Sequence, residues 1–201
     1  MNLLTQNAKM RKTSKENNTK IFNFSIPAYK TKSNKITCPF AKDCIKYCYA
    51  QKGNYTRFPI IQELMEQKYE LTKQNNFNSL MNAEIKKKKA KYIRIHDSGD
   101  FYSIKYLNKW IQIAEHNKDV IFYAYTKSIK FFKDYNIILP NNFKVIFSEG
   151  SKKDELINIK KDRHARIFKD ITTLLSAGYI DASNNDLLAI TENKKVGLVY
   201  H

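Results

Sequence analysis

The chain has 201 residues, which is enough for one domain with a substantial hydrophobic core. Hydrophobic residues make up 42% of it and aromatic residues 13%, a composition that excludes a disordered tail protein. Its 36 Lys and Arg exceed its 19 Asp and Glu, so the formal net charge is +17, which indicates either a polyanionic partner or a compositional bias on a solvated surface.

The hydrophobic pattern also bears on where the protein works. No apolar stretch is long enough to predict a signal peptide or a membrane span. The three cysteines are an odd number, which argues against a secreted disulfide framework. We therefore predict a cytoplasmic protein with no membrane partner, in which the thiols stay reduced.

Taken in order, the predicted elements alternate between strands and helices. Residues 1–19 are polar and predict a loose or partly helical lead-in to a single domain that covers residues 1–201. Helices are predicted to begin near Pro59, Phe77, Ser103, Ser128 and Asp170. Strand, loop and helix repeat about six times, which predicts an α/β fold with mostly parallel strands, in a sheet or a barrel. The predicted strands are Ile21–Ile26, Tyr92–His96, Val120–Tyr125, Phe143–Phe147, Ala165–Phe168, Leu187–Ile190 and Val196–Tyr200.

All three cysteines fall in one segment that follows the first predicted strand. Residues 38–50 read C-P-F-A-K-D-C-I-K-Y-C-Y-A and contain Cys38, Cys44 and Cys48. Thiols that only fill a core are scattered over several elements, whereas thiols that share an ion or a cluster are grouped. The grouping predicts a metal site with three thiolates and a fourth position that is supplied elsewhere or left open; three buried free thiols in a turn are the alternative.

Small and polar residues follow the next three predicted strands. Ligands bind at the carboxyl ends of parallel strands, so these residues are expected to share one face with the cysteines. Taken singly, a Ser-Gly-Asp segment is usually a turn and a lone histidine is usually a buried core residue. Together they predict a binding site. Its candidate cofactor-binding residues are His96, Asp97, Ser98, Gly99, Asp100, Thr126, Ser128, Ser148 and Glu149.

The cysteine spacing leaves two metals open. Three cysteines with His96 could form a tetrahedral zinc site, but structural zinc sites favour close Cys-x-x-Cys pairs, and the spacings here are five and three residues. A [4Fe–4S] cluster tolerates looser spacing and leaves one iron without a protein thiolate. We therefore expect a [4Fe–4S] cluster, with zinc as the alternative, and a small-molecule or anionic ligand at the open iron.

The basic residues are concentrated in the first third of the chain. Between Lys9 and Lys52, eleven basic residues stand against only Glu16 and Asp43. This segment surrounds the cysteines, so an anionic ligand or a nucleic acid is a candidate partner. In the alternative function, a metal-dependent nuclease, Asp97, Asp100 and Glu149 would hold a divalent cation and the cysteines a structural zinc.

Several motifs occur in the order found in a known phage family. The cysteine segment, R-I-H-D-S-G-D-F-Y-S at 94–103, F-Y-A-Y-T-K-S at 122–128 and the closing V-G-L-V-Y-H at 196–201 resemble the phage "gene product 88" family. That family has little assigned function. The resemblance implies a protein of phage or plasmid origin that acts in the cytoplasm of the host cell.

A more distant resemblance is to the radical S-adenosylmethionine enzymes, although their cysteines are usually spaced C-x-x-x-C-x-x-C. It implies a partial (β/α) barrel of about six units, with Cys38, Cys44 and Cys48 as cluster ligands and Tyr49 as the adjacent aromatic residue. Ser98-Gly99-Asp100 would hold the amino group of S-adenosylmethionine, with Thr126, Ser128, Ser148 and Glu149 elsewhere in its pocket. The expected function is therefore a [4Fe–4S] protein, either a radical-enzyme-like catalyst or a non-catalytic cluster protein.

Overall fold

The computed structural model describes residues 1–135 and 137–199. Its centre is a seven-stranded, all-parallel sheet that curls into a half-barrel, with the strand order β1-β2-β3-β4-β5-β7-β6. The predicted α/β partial barrel with parallel strands is thus confirmed. The strands are β1 (Ile21–Phe24), β2 (Tyr92–Ile95), β3 (Ile121–Thr126), β4 (Phe143–Ser148), β5 (His164–Phe168), β6 (Ile180–Asp181) and β7 (Lys195–Val199).

Both faces of the sheet are covered, as the near-continuous apolar strands require. On the outer face, Ile93 and Phe122 belong to a large core that also contains Trp110 of the helix layer. On the inner face, Tyr123 and Val196 belong to a second, smaller cluster inside the half-barrel. Successive side chains of a strand point to opposite faces, so β2, β3 and β4 contribute to both clusters.

Seven α-helices accompany the strands within the described residues. The connection from β2 shows how the sequence starts one of them: Ser103 caps the helix, its Oγ accepting a hydrogen bond from the backbone N of Tyr106 at 3.2 Å. The helices are α1 (Ala8–Glu16), α2 (Asn54–Arg57), α3 (Pro59–Lys73), α4 (Phe77–Lys88), α5 (Ile104–His116), α6 (Ile129–Asp134) and α7 (Ile171–Ser176).

The amino-terminal segment is packed rather than loose. Leu4 and Met10 are fully buried, and Thr5 forms an antiparallel bridge with Asn23 on the edge strand β1. α1 contacts both β1 and the segment that follows β6. The predicted lead-in therefore bridges the two edges of the half-barrel.

The carboxyl-terminal part differs from the prediction in two places. The segment predicted as a strand at Leu187–Ile190 is a 3₁₀ helix over Asp186–Ile190, because the Asn185 side chain accepts a hydrogen bond from the backbone N of Leu187 and starts a turn. The two-residue strand β6 was not predicted. The last strand is confirmed over Val196–Val199, while Tyr200 and His201 lie outside the described residues.

Candidate functional site

A cavity of about 470 Å³ opens at the carboxyl ends of the strands. Its walls come from the loop after β1, the segment after β2, the ends of β3 and β4, and the strands β5 and β7. A volume of this size suits a small organic ligand or a cofactor. The predicted site residues in its lining are Cys38, Cys44, Cys48, His96, Asp97, Ser98, Gly99, Asp100 and Ser148.

The first residues of the cysteine loop are fixed by contacts with neighbouring segments. Near its start, the backbone N of Tyr29 donates to Sγ of Cys38 at 3.3 Å, and the hydroxyl of Thr37 donates to the carbonyl of Pro27 at 2.7 Å. Ala41 forms a bridge with Ser151, which lies beyond β4. All three cysteines are free and partly buried, so the loop presents thiols to the cavity while its backbone is bound to neighbouring loops.

The protein surroundings favour the thiol form of these cysteines. Burial, followed by the nearby Asp100 carboxylate, raises the pKa of Cys38. Burial also raises the pKa of Cys44, and the ammonium of Lys127 opposes that rise. A metal cation reverses this balance, because a coordinating thiol gives up its proton and binding releases protons.

The described His, Cys, Asp and Glu side chains contain no group of three that could hold a single metal ion. The ligands of one tetrahedral ion must all lie within coordination distance of the same point. Within the described residues, the three cysteines therefore do not converge on one point of this kind.

Asp97 ties the cysteine loop to the sheet. Its carboxylate accepts hydrogen bonds from the hydroxyl of Tyr55 at 2.9 Å and from the side-chain amides of Asn7 at 3.0 Å and Asn23 at 3.1 Å. The hydroxyl of Tyr49 donates to the Asp97 backbone carbonyl. Two tyrosines that follow Cys48 are thus anchored on one residue, and the Asp97 oxygens are already occupied by protein donors.

Asp100 joins the ends of β2 and β3. Its carboxylate accepts hydrogen bonds from the backbone N of Phe101 at 2.7 Å, from the Thr126 hydroxyl at 2.6 Å and from the backbone N of Lys127 at 2.8 Å. Burial raises its pKa from 3.8 to about 6, although these three bonds lower it. Asp100 therefore lines the cavity, and Thr126 stands behind it as a supporting donor.

The remaining predicted polar residues hold loops together. The Ser128 hydroxyl donates to the carbonyl of Phe101 at 2.7 Å, whereas Ser148 accepts a bond from Lys127 Nζ at 2.9 Å. Glu149 pairs with Arg166 at 2.6 Å. Of the predicted candidates, Thr126, Ser128 and Glu149 are not among the described lining residues of the cavity.

His96 borders the cavity but its ring packs against the helix layer. A positive φ of 66° turns the residue so that its ring lies 4.7 Å from that of Phe101, centre to centre, and Nε2 lies 2.9 Å from the hydroxyl of Tyr106. Burial, followed by the charge of Arg94, lowers the pKa of His96 from 6.5 to about 3. The imidazole is therefore neutral at physiological pH.

This burial predicts a component of acid instability. The unfolded chain binds a proton at His96 below pH 6.5 while the folded chain does not, so the stability from neutral His96 is lost as the pH falls from 6.5 towards 3. The His96→Asn variant, in which asparagine tolerates the positive φ, should lack this loss. We expect wild type to lose about 1.4 kcal/mol per pH unit more than the variant in urea titrations between pH 6 and 4.

Asp100 acts with the opposite sign in the same pH range, because its raised pKa adds stability at low pH that is lost as the pH rises through about 6. Asp100 is present in both proteins, so its contribution to the pH dependence of stability cancels in the comparison. Parallel stability curves for wild type and His96→Asn would contradict the assignment.

A buried charge network that was not predicted lies deeper in the half-barrel. The fully buried carboxylate of Asp186 pairs with Lys9 at 2.7 Å and Arg94 at 3.2 Å, and accepts a hydrogen bond from the Tyr123 hydroxyl at 2.6 Å. Burial alone would raise the Asp186 pKa, but the two cations lower it below its ordinary value. The one available sequence signal was the arginine inside the apolar strand Tyr92–Ile95.

Within the described residues, no helix is long and apolar enough to cross a bilayer.

Comparisons with known proteins relate nearly the whole chain to one phage family. Over 103 residues, the chain is 34% identical to the "Gene 88 protein" of Mycobacterium phage L5 and equally to that of Mycobacterium phage D29. These alignments span 46% of this chain and 43% of each relative.

No solved structure matches the chain significantly. The family described as "Gene product 88" matches residues 1–199. Because that match covers nearly the entire sequence, the chain belongs to the gene product 88 family.

Proposed function

We propose that this protein binds a [4Fe–4S] cluster through Cys38, Cys44 and Cys48. The observation that carries the proposal is that every cysteine of the chain lines one cavity at the carboxyl ends of parallel strands. This is the edge at which folds of this class bind ligands. Such a protein would act in a reducing cytoplasm, that of the host cell for a phage-encoded chain.

The residues around the thiols support a bulky group. Ala28, Ala41 and Ala50 line the same cavity as the cysteines, and their small side chains leave room beside the thiols. When bound, the cluster would supply one-electron chemistry and an iron that no cysteine holds. The chain itself orders the loop, through the hydrogen bonds of Tyr49 and Tyr55 to Asp97.

Anaerobic reconstitution with iron and sulfide tests the three ligands. We expect a brown protein with broad visible absorption, and a loss of most of that absorption when Cys38, Cys44 or Cys48 is replaced by serine, because a hydroxyl is a poor iron ligand. Lys46→Ser, an exposed change in the same loop, serves as the control and should keep the absorption. If all three cysteine variants kept the full absorption, the assignment of these cysteines as cluster ligands would be wrong.

Within this proposal, the open iron could serve radical S-adenosylmethionine chemistry or a non-catalytic role. Ser98, Gly99 and Asp100 line the cavity beside the cysteines, which supports a ligand there. Adding S-adenosylmethionine and dithionite to the reconstituted protein distinguishes the two. Release of 5′-deoxyadenosine with methionine would establish the enzyme, and its absence with an intact cluster would favour the non-catalytic protein.

A second candidate function is nucleic-acid binding at the opposite end of the sheet. A groove there is lined by Lys20, Lys89 and Lys91, next to the amino ends of β1 and β2. Clustered lysines neutralise phosphates. Cleavage is less well supported than binding, because the oxygens of Asp97 and Asp100 already accept bonds from protein donors.

Fluorescence anisotropy of a labelled oligonucleotide at two salt concentrations tests this second candidate. Replacing the three groove lysines by glutamate should weaken binding and flatten its salt dependence, by about one unit of slope per lost phosphate contact. A matched triple charge reversal at exposed lysines elsewhere controls for net charge. The control positions are Lys105, Lys160 and Lys169. Equal effects of both variants would show that the binding is a general effect of net charge.

A further inference from the structure

Four cavity residues carry buried hydrogen-bonding atoms without a partner among the described residues. These atoms are Nε of Arg94, Nδ1 of His96, Oγ of Ser98 and Oη of Tyr125. Ser98 is 3% exposed, and the guanidinium of Arg94 lies 4.8 Å from the centre of the Tyr125 ring. Nearly all buried polar atoms in folded proteins are hydrogen-bonded, so four unpaired atoms in the lining of one cavity point to a ligand.

The two hydroxyls among these atoms can donate or accept, and Nδ1 of His96 does one or the other according to its tautomer. Arg94 Nε carries only a donor, and burial raises the pKa of Tyr125, which keeps its hydroxyl protonated. The carboxylates in the lining, Asp97 and Asp100, each accept bonds from three or more protein groups. A ligand that satisfies Nε of Arg94 must therefore bring an acceptor atom, which the two hydroxyls can also bind as donors.

The strands β5 and β7 add apolar side chains to the cavity lining, beside Arg166 and Ser183. Ala165, Ile167 and Leu198 are among them, and Ile167 is 45% exposed although it is a large hydrophobic residue. An apolar group on the ligand would cover this surface. The cavity thus combines unpaired polar atoms with hydrophobic surface in one lining.

We propose that this cavity binds a small organic acid, whose carboxylate accepts hydrogen bonds from Arg94 Nε and Tyr125 Oη and whose apolar part rests on Ile167 and Leu198. A guanidinium and a hydroxyl match a carboxylate, because bonds to an ionised acceptor are the strong ones. This proposal rests on the proposed function, because it names the class of ligand that binds in the same cavity. The residues that would bind the ligand are not the cysteines.

Phenylacetate is the test probe and neutral 2-phenylethanol is its matched control. Calorimetry on the anaerobically reconstituted protein should detect phenylacetate at least tenfold more tightly than the alcohol, because only the acid offers an ionised acceptor. Equal binding of the two probes would overturn the proposal. Tighter binding of phenyl phosphate than of phenylacetate would overturn the choice of a carboxylate.

Two tyrosine variants separate recognition from folding. Tyr125→Phe removes a hydroxyl that bonds to no described protein group, so it should weaken phenylacetate binding roughly tenfold without lowering Tm. Tyr123→Phe removes a hydroxyl that donates to Asp186, so it should lower Tm and change the affinity by less than about threefold. Unchanged affinity in Tyr125→Phe would contradict the assignment.

Iron and sulfide analysis of the same samples keeps this test separate from that of the cluster. If the protein contains the cluster but binds phenylacetate and 2-phenylethanol equally well, the proposed ligand class is wrong and the cluster assignment stands. If the protein prefers phenylacetate but takes up no iron, the cluster assignment is wrong and the proposed ligand class stands.

Discussion

Replacing Asp186 by asparagine should destabilise the protein by about 3–5 kcal/mol, which is a large part of the stability of a typical domain. The carboxylate is fully buried and pairs with both Lys9 and Arg94, so its loss leaves two partly buried cations without a counter-charge. The Tyr123 hydroxyl also loses its charged acceptor. Urea denaturation followed by far-ultraviolet circular dichroism measures the change in the free energy of unfolding.

Glu70→Gln is the matched control for the Asp186 variant. Glu70 also lies in an ion pair, with Lys73 at 2.7 Å, but both side chains are exposed. Exposed pairs contribute about 0–1 kcal/mol, so this variant should be close to wild type. Similar small effects of the two substitutions would show that the inner network of the half-barrel is not a major source of stability.

Gly99→Ala should cost about 2–5 kcal/mol, from two separate effects. Gly99 has a φ of +84°, a left-handed conformation that costs an alanine about 1–2 kcal/mol. A Cβ atom there would also collide with the side chain of Ile26, and overpacking adds about 1–3 kcal/mol. Ile26 leads into the cysteine loop, so we also expect weaker cluster retention, measured as iron per chain after gel filtration.

Gly53→Ala isolates the backbone effect from the collision. Gly53 has a φ of +56°, and a Cβ built on it meets no atom within 4 Å. Its alanine variant should therefore lose only the conformational part, about 1–2 kcal/mol. If the two alanine variants were equally stable, the close approach of Gly99 to Ile26 would have no energetic consequence.

The outline of this fold could be predicted because its signals are local. The strands β2, β3 and β4 are apolar runs that end in turn residues, and parallel connections force their carboxyl ends onto one edge. The same reasoning predicts that Cys38 and the segment after β2 lie on one face, and both line the cavity. It also predicted the cap at Ser103, since an N-cap is encoded within four residues.

The interior of the half-barrel could not be predicted in the same way. Lys9 reaches the carbonyl of Ala182, 173 residues away, and such a contact depends on how the edges of the sheet curl towards each other. Residues 1–19 looked like a polar lead-in because the few apolar residues that anchor them, such as Met10, are outnumbered by lysines and asparagines. The positive φ of His96, which turns its ring from the cavity to Tyr106, has no sequence signature.

The central claim is that the three cysteines hold an iron–sulfur cluster, and the metal content of the protein purified without oxygen tests it most directly. The account predicts iron and acid-labile sulfide in equal amounts, approaching four of each per chain in the reconstituted protein. A colourless protein with one tightly bound zinc and no sulfide would contradict it.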